Sequence, residues 1–124
     1  MTGHAKALYN KMNGDFYRYI AEVSTGEARQ NAITAALQSY EKAFQGAKEI
    51  LRWISPIRLN VSLNCAIFEY EFQKNVPKAI EYITEALEGL QKDGEIPASH
   101  EDKDEILLLK KILTSNLEVN YCTL

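Results

Sequence analysis

The chain is short of the features that membranes, nucleic acids, disulfides and catalysis require. No apolar run approaches the ~18 residues of a membrane span, and Met1 to Lys11 hold no apolar stretch of the kind a secretory signal needs. Cysteine occurs twice, at Cys65 and Cys122, with no CxxC spacing. That reads as two reduced thiols in a cytosolic protein, rather than a disulfide framework or a metal site. The histidines, His4 and His100, have neither a cysteine nor a second histidine at ligand spacing, so neither a metal nor another cofactor is expected. Basic charge is not in excess: 14 Lys and Arg stand against 17 Asp and Glu, a formal net charge of -3. General nucleic-acid binding leans on the opposite balance and is not expected. No glycine-rich loop leads into a helix, and no histidine lies beside a serine or cysteine in a triad-like context. An enzyme is therefore not expected, and carboxylate runs such as Glu101-Asp102 and Asp104-Glu105 read as solvated charge near a helix N-terminus.

What is present is an ordinary globular composition, 46% hydrophobic and 25% charged over 124 residues. This length suits one domain able to bury a core. Six glycines and three prolines cut the chain into helix-sized pieces, and no strand-like alternation is visible. The first helix spans about His4 to Val23, with Ala5, Leu8, Met12, Phe16, Tyr19, Ile20 and Val23 recurring at the helical period. The second spans about Glu27 to Trp53 and is rich in alanine, with Ala36, Tyr40, Ala43, Ala47 and Ile50 as inward candidates. Ser55-Pro56 starts a third that runs to about Lys74, and Asn75-Val76-Pro77 starts a fourth that runs to about Gln91. After a polar loop, Ser99 or Asp102 caps a fifth that runs to about Tyr121. The predicted fold class is all-α: a single domain over residues 1–124 with five antiparallel helices, stacked as tetratricopeptide hairpins are but without that repeat's sequence pattern.

One segment is more informative than the rest. Gly14 sits in mid-helix, where glycine costs about 1 kcal/mol against alanine, so a reason for it is needed. Around it, Lys11, Asp15 and Arg18 fall on one stripe, with Tyr19 next to Arg18. Taken alone, that spacing describes a surface ion pair beside an aromatic, worth about 0.2–0.5 kcal/mol. The wording Lys11-Met12-Asn13-Gly14-Asp15-Phe16-Tyr17-Arg18-Tyr19-Ile20-Ala21-Glu22, however, resembles the central signature of the 14-3-3 family of phosphopeptide-binding proteins. Tyr40-Glu41-Lys42-Ala43-Phe44 is similar to the helix that follows it. Pro56-Ile57-Arg58-Leu59-Asn60-Val61-Ser62-Leu63-Asn64 resembles the family's Pro-Ile-Arg-Leu-Gly-Leu-Ala-Leu-Asn, and Leu113-Thr114-Ser115-Asn116-Leu117 its Leu-Leu-Arg-Asp-Asn-Leu.

The resemblance implies an adaptor that binds phosphoserine or phosphothreonine peptides of client proteins and works in cytoplasmic signalling. It assigns the phosphate to Arg18 and Tyr19, with Lys11 adding charge. A guanidinium presents a planar fork to phosphate oxygens and a phenol adds a donor. It assigns the peptide groove to Leu63, Asn64, Ile67, Glu71, Leu109, Ile112, Asn116 and Asn120. The amides there offer both donor and acceptor to a peptide group, whereas the four aliphatic residues also suit plain core. Family members are about twice as long, and this sequence corresponds to their last five helices. The earlier helices carry the usual dimer interface and two further cations of the phosphate pocket. Weak binding by this chain is therefore expected, and an uncovered apolar face makes a homo-oligomer one of its expected states. Asn13, Asn60, Ser115 and Asn120 replace residues usual in the family. The alternative is a helical interaction scaffold that has lost phosphate recognition.

Overall fold

A computed structural model describes residues 2–94 and 101–117, which form five α-helices with no strand among the described residues. They fall into two compact units, residues 1–50 and 51–124. Among the described residues no helix is long and apolar enough to cross a membrane.

The first unit is a helical hairpin of α1 (Gly3–Val23) and α2 (Gly26–Ile50). The Thr2 hydroxyl caps α1 by accepting a hydrogen bond from the Ala5 N–H at 3.1 Å. At the other end of α1, Arg29 donates to the Ala21 carbonyl at 2.7 Å, satisfying one of the acceptors a helix C-terminus leaves open. Gly26 turns the chain with a φ of 62°, a left-handed value at which glycine is unstrained. The seam between the helices is made of small side chains. Ala7, Gly14 and Ala21, seven residues apart, are buried on α1, and Ala32, Ala36, Ala43 and Ala47 are buried on α2. Gly14 has its reason here: a Cβ at this position would lie 2.6 Å from Cδ1 and Cε1 of the Tyr40 ring.

The apolar stripe expected to define α1 does not face α2. Leu8, Met12, Phe16, Tyr19 and Val23 are all exposed. α1 has two apolar faces, one of small residues and one of large, and close approach to the alanine-rich α2 selects the small one. Periodicity locates a face without saying which neighbour it meets.

The second unit holds α3 (Pro56–Glu71), α4 (Val76–Asp93) and α5 (Lys103–Ser115), with α3 against α4 and α5 against both. Leu59, Val61, Phe68, Ile83, Ile106 and Leu113 are fully buried in it. Ser55 occupies the N-cap of α3 but its side chain makes no capping bond, so the start rests on Pro56 and its preset φ. Asn75 does cap α4, accepting from the Lys78 N–H at 3.1 Å. Asp102 holds the N-cap position of α5, likewise without a side-chain capping bond; Ser99 and the expected end at Tyr121 lie outside the described residues.

Two helices stop earlier than their sequence patterns suggest. α2 ends at Ile50 rather than Trp53, because tertiary partners take the next backbone groups. Arg58 donates to the Leu51 carbonyl at 2.7 Å, and the Ile54 N–H donates to Asp93 at 3.1 Å. The Arg58 guanidinium also lies 3.5 Å above the Trp53 ring, which packs closely on Gly89. Burial pulls the Arg58 pKa below the ordinary arginine value, against the opposing pull of Glu85 and Asp93. α3 ends at Glu71 rather than Lys74: Lys74 takes a φ of 54°, and the Asn75 N–H then bonds back to the Glu69 carbonyl at 2.9 Å.

Two glycines in helix interiors therefore predict opposite outcomes. A Cβ at Gly89 would overlap the Trp53 ring, whereas one at Gly46 would meet nothing within 4 Å. Gly89→Ala is expected to lower stability by about 1–3 kcal/mol through overpacking. Gly46→Ala is expected to raise it by about 0.5–1 kcal/mol through helix propensity. Urea denaturation followed by circular dichroism measures both.

Candidate functional site

The small-residue seam of α1 brings its charged residues together. Lys11 and Arg18 alternate with Ala7, Gly14 and Ala21 along one stripe, so the long cations emerge between the small residues that approach α2. Asp15 lies between them. Its carboxylate is 2.9 Å from the Lys11 ammonium and 4.0 Å from the Arg18 guanidinium. The Tyr40 hydroxyl donates to the same carboxylate at 2.7 Å. Tyr40 thus does two things at once: its ring covers Gly14 and its hydroxyl fixes Asp15.

The cations are partly withdrawn from water, the Lys11 and Arg18 side chains being 19% and 25% exposed. Partial desolvation strengthens the attraction of such groups for an anion. The three charges leave a net positive site. Lys11 has three N–H donors and Arg18 five, of which Asp15 engages a minority. Tyr19 stands on the exposed face of α1, at 63% exposure.

The expected groove residues lie in the second unit and divide by burial. Leu63 and Leu109 are buried and belong to the core. Ile67 is half-buried, and Ile112 is exposed. Asn64 is half-buried and donates to the Asn60 side chain one turn earlier at 3.0 Å. Asn60, Asn64, Ile67 and Glu71 therefore form one accessible face of α3, with Glu71 the most exposed end of it. Asn116 sits at the C-cap of α5, its N–H bonded to the carbonyls of Ile112 and Leu113. Asn120 lies outside the described residues.

The helical repeat places Lys11, Asp15 and Arg18 on one stripe, as the structure does, but gives no sign of the part played by Tyr40. The Tyr40–Asp15 bond spans 25 positions, and no local spacing announces it. The mid-helix Gly14 was its one visible trace. Asn60, read only as a departure from the family's glycine, holds Asn64 through an i,i+4 contact that the sequence does display.

The sequence model of the 14-3-3 protein family matches residues 1–119. Protein BMH1 of Saccharomyces cerevisiae is 36% identical over 116 residues, covering 94% of this chain and 43% of its own length. The 14-3-3-like protein 2 of Caenorhabditis elegans is 36% identical over 118 residues, covering 94% and 46%. The 14-3-3 protein zeta of Bombyx mori is 36% identical over 115 residues, covering 91% and 45%. The chain thus spans about half the length of the curated relatives it matches. With a family match along almost its whole length, and the signature stripe arranged around Asp15, the chain belongs to the 14-3-3 family.

Proposed function

We propose that this chain recognises peptides phosphorylated on serine or threonine, and serves as a non-enzymatic adaptor for client proteins in cytoplasmic signalling. The observation that carries this reading is the pair of partly buried cations, Lys11 and Arg18, on one helical stripe with Asp15 between them. A phosphate monoester carries about -1.5 to -2 charge at neutral pH and three acceptor oxygens. Arg18 meets two of these with its planar fork, Lys11 supplies a compact charge, and Tyr19 donates its hydroxyl. Asp15 sets the position of both cations while lowering the net charge of the site, so an unphosphorylated serine gains little there.

The second unit, taken by itself, is assigned peptide contacts on the strength of the family resemblance. There Asn64 and Asn116 bond a peptide backbone. Ile67 and Ile112 supply apolar contact, and Glu71 bears on residues of opposite charge. Leu63 and Leu109 support that surface from within the core. With two cations at the phosphate, affinity is modest.

Titration against a fluorescent phosphoserine peptide, with its unphosphorylated counterpart as control, tests the reading. Phosphate-dependent binding is expected, weakening as salt rises. Arg18→Ala removes a charged hydrogen-bond donor worth about 1.5–3 kcal/mol, a loss of roughly ten- to a hundredfold in affinity. Equal binding of both peptides, unchanged in Arg18→Ala, would instead identify a scaffold without phosphate recognition.

A second variant tests the support of the site. Tyr40→Phe keeps the ring on Gly14 and deletes the hydroxyl that donates to Asp15. Stability is expected to fall by about 0.5–1.5 kcal/mol. Phosphopeptide affinity is expected to fall with it, because Asp15 then draws more strongly on Lys11 and Arg18. Thermal melts and the same titration read the two effects.

A further inference from the structure

Glycine interrupts the helix interiors at Gly14, Gly46 and Gly89, and packing explains the first and the last. Gly14 makes room for the Tyr40 ring and Gly89 for the Trp53 ring. Gly46 has no such reason: a Cβ there would meet nothing within 4 Å, yet glycine costs α2 about 1 kcal/mol against alanine. Gly46 instead lines a cavity of about 630 Å³ inside the first unit, between the first half of α1 and the second half of α2. That volume falls in the range of about 300–1,000 Å³ usual for small-molecule sites.

We infer that this cavity binds a small aromatic carboxylate, its ring seated over Gly46 and its charge met by Lys6 and Lys42. Two observations select this ligand. The first is charge. Lys6 on α1 and Lys42 on α2 both line the cavity, and neither has a carboxylate partner among the described residues. Glu49 lines it too, but its carboxylate accepts from the Gln45 amide at 3.4 Å. Two cations and one carboxylate leave a single net positive charge, which suits a monoanion better than a doubly charged phosphate. The second is shape. This protein seats aromatic rings on Gly14 and Gly89, where no Cβ stands up from the helix. Gly46 offers the same clearance, with the small Ala7 and the aliphatic Ile50 as its apolar neighbours in the lining. Pockets of this kind pair an apolar surface with a few placed polar groups. The helical repeat sets Lys6 and Asn10 on the flank of the Ala7–Gly14–Ala21 stripe opposite to Lys11 and Arg18. The cavity is therefore separate from the proposed phosphate site, and the inference does not rest on phosphopeptide recognition.

Titration of the full chain with 2-naphthoate, followed by two-dimensional NMR of the backbone amides, tests this. Saturable shifts are expected at Gly46, Asn10 and their neighbours. The uncharged isostere 2-naphthamide is expected to bind about fivefold more weakly or worse, and the double variant Lys6→Gln/Lys42→Gln to lose a similar factor for 2-naphthoate, the scale of two exposed charge contacts. Gly46→Leu fills the cavity from a position whose Cβ meets no neighbour, and is expected to abolish the shifts while circular dichroism shows the helices intact. Arg18→Ala is expected to leave the naphthoate titration unchanged, which separates this site from the phosphate site. Shifts confined to the outer face of α1 around Phe16, with none at Gly46, overturn the inference. So does 2-naphthoate binding that survives Gly46→Leu, or equal binding of 2-naphthamide.

Discussion

The close approach of α1 to α2 is the constraint on which the candidate site depends. It is made possible by Gly14, which leaves room for the Tyr40 ring against the α1 backbone. Once the ring is there, its hydroxyl reaches Asp15, and Asp15 in turn holds Lys11 and stands near Arg18. A glycine that costs about 1 kcal/mol of helix propensity thus fixes the carboxylate that holds Lys11 one turn before it and attracts Arg18 one turn after it. Each ion pair taken singly is weak where solvent reaches it. The arrangement contributes mainly geometry: it keeps two donors aligned on one edge of a helix before any anion arrives, which spares part of the ordering cost of binding.

The same packing decides what α1 shows to its surroundings. Small residues are spent on the α2 seam, so the large ones, Met12 and Phe16 among them, lie outward. The second unit uses a different device for a similar end. There Gly89 admits the Trp53 ring, Arg58 covers it, and Arg58 and Asp93 bind the backbone between Leu51 and Ile54. In each unit, a large aromatic side chain seated on a mid-helix glycine and a charged residue hydrogen-bonded to a distant partner lock the local path of the chain.

Much of this was legible in the sequence. Five helices follow from the apolar period and from Ser55-Pro56 and Asn75-Val76-Pro77, since caps and prolines act locally. The shared stripe of Lys11, Asp15 and Arg18 follows from the helical repeat alone, and the Gly14 signature directed attention to it. What escaped was set by distant partners. The end of α2 depends on Arg58 and Asp93, which no window around Ile50 contains. The inward face of α1 depends on the alanines of α2, because two apolar faces on one helix give the same period. Tyr40 read as a core residue, and its hydroxyl contact with Asp15 required the fold to be known. Leu63 and Leu109 read equally well as groove or core, and burial places their side chains in the core.

Phosphopeptide recognition by this chain turns on whether Arg18 meets the phosphate. The most direct measurement follows the side-chain Nε–H resonances of the arginines by two-dimensional NMR as phosphoserine peptide is added to the chain. The Arg18 resonance is expected to move and saturate with the phosphorylated peptide and to stay in place with the unphosphorylated one, while Arg52, Arg58 and Arg29 move little. An Arg18 resonance that stays fixed while another arginine responds to the phosphate, or one that responds equally to both peptides, would contradict it.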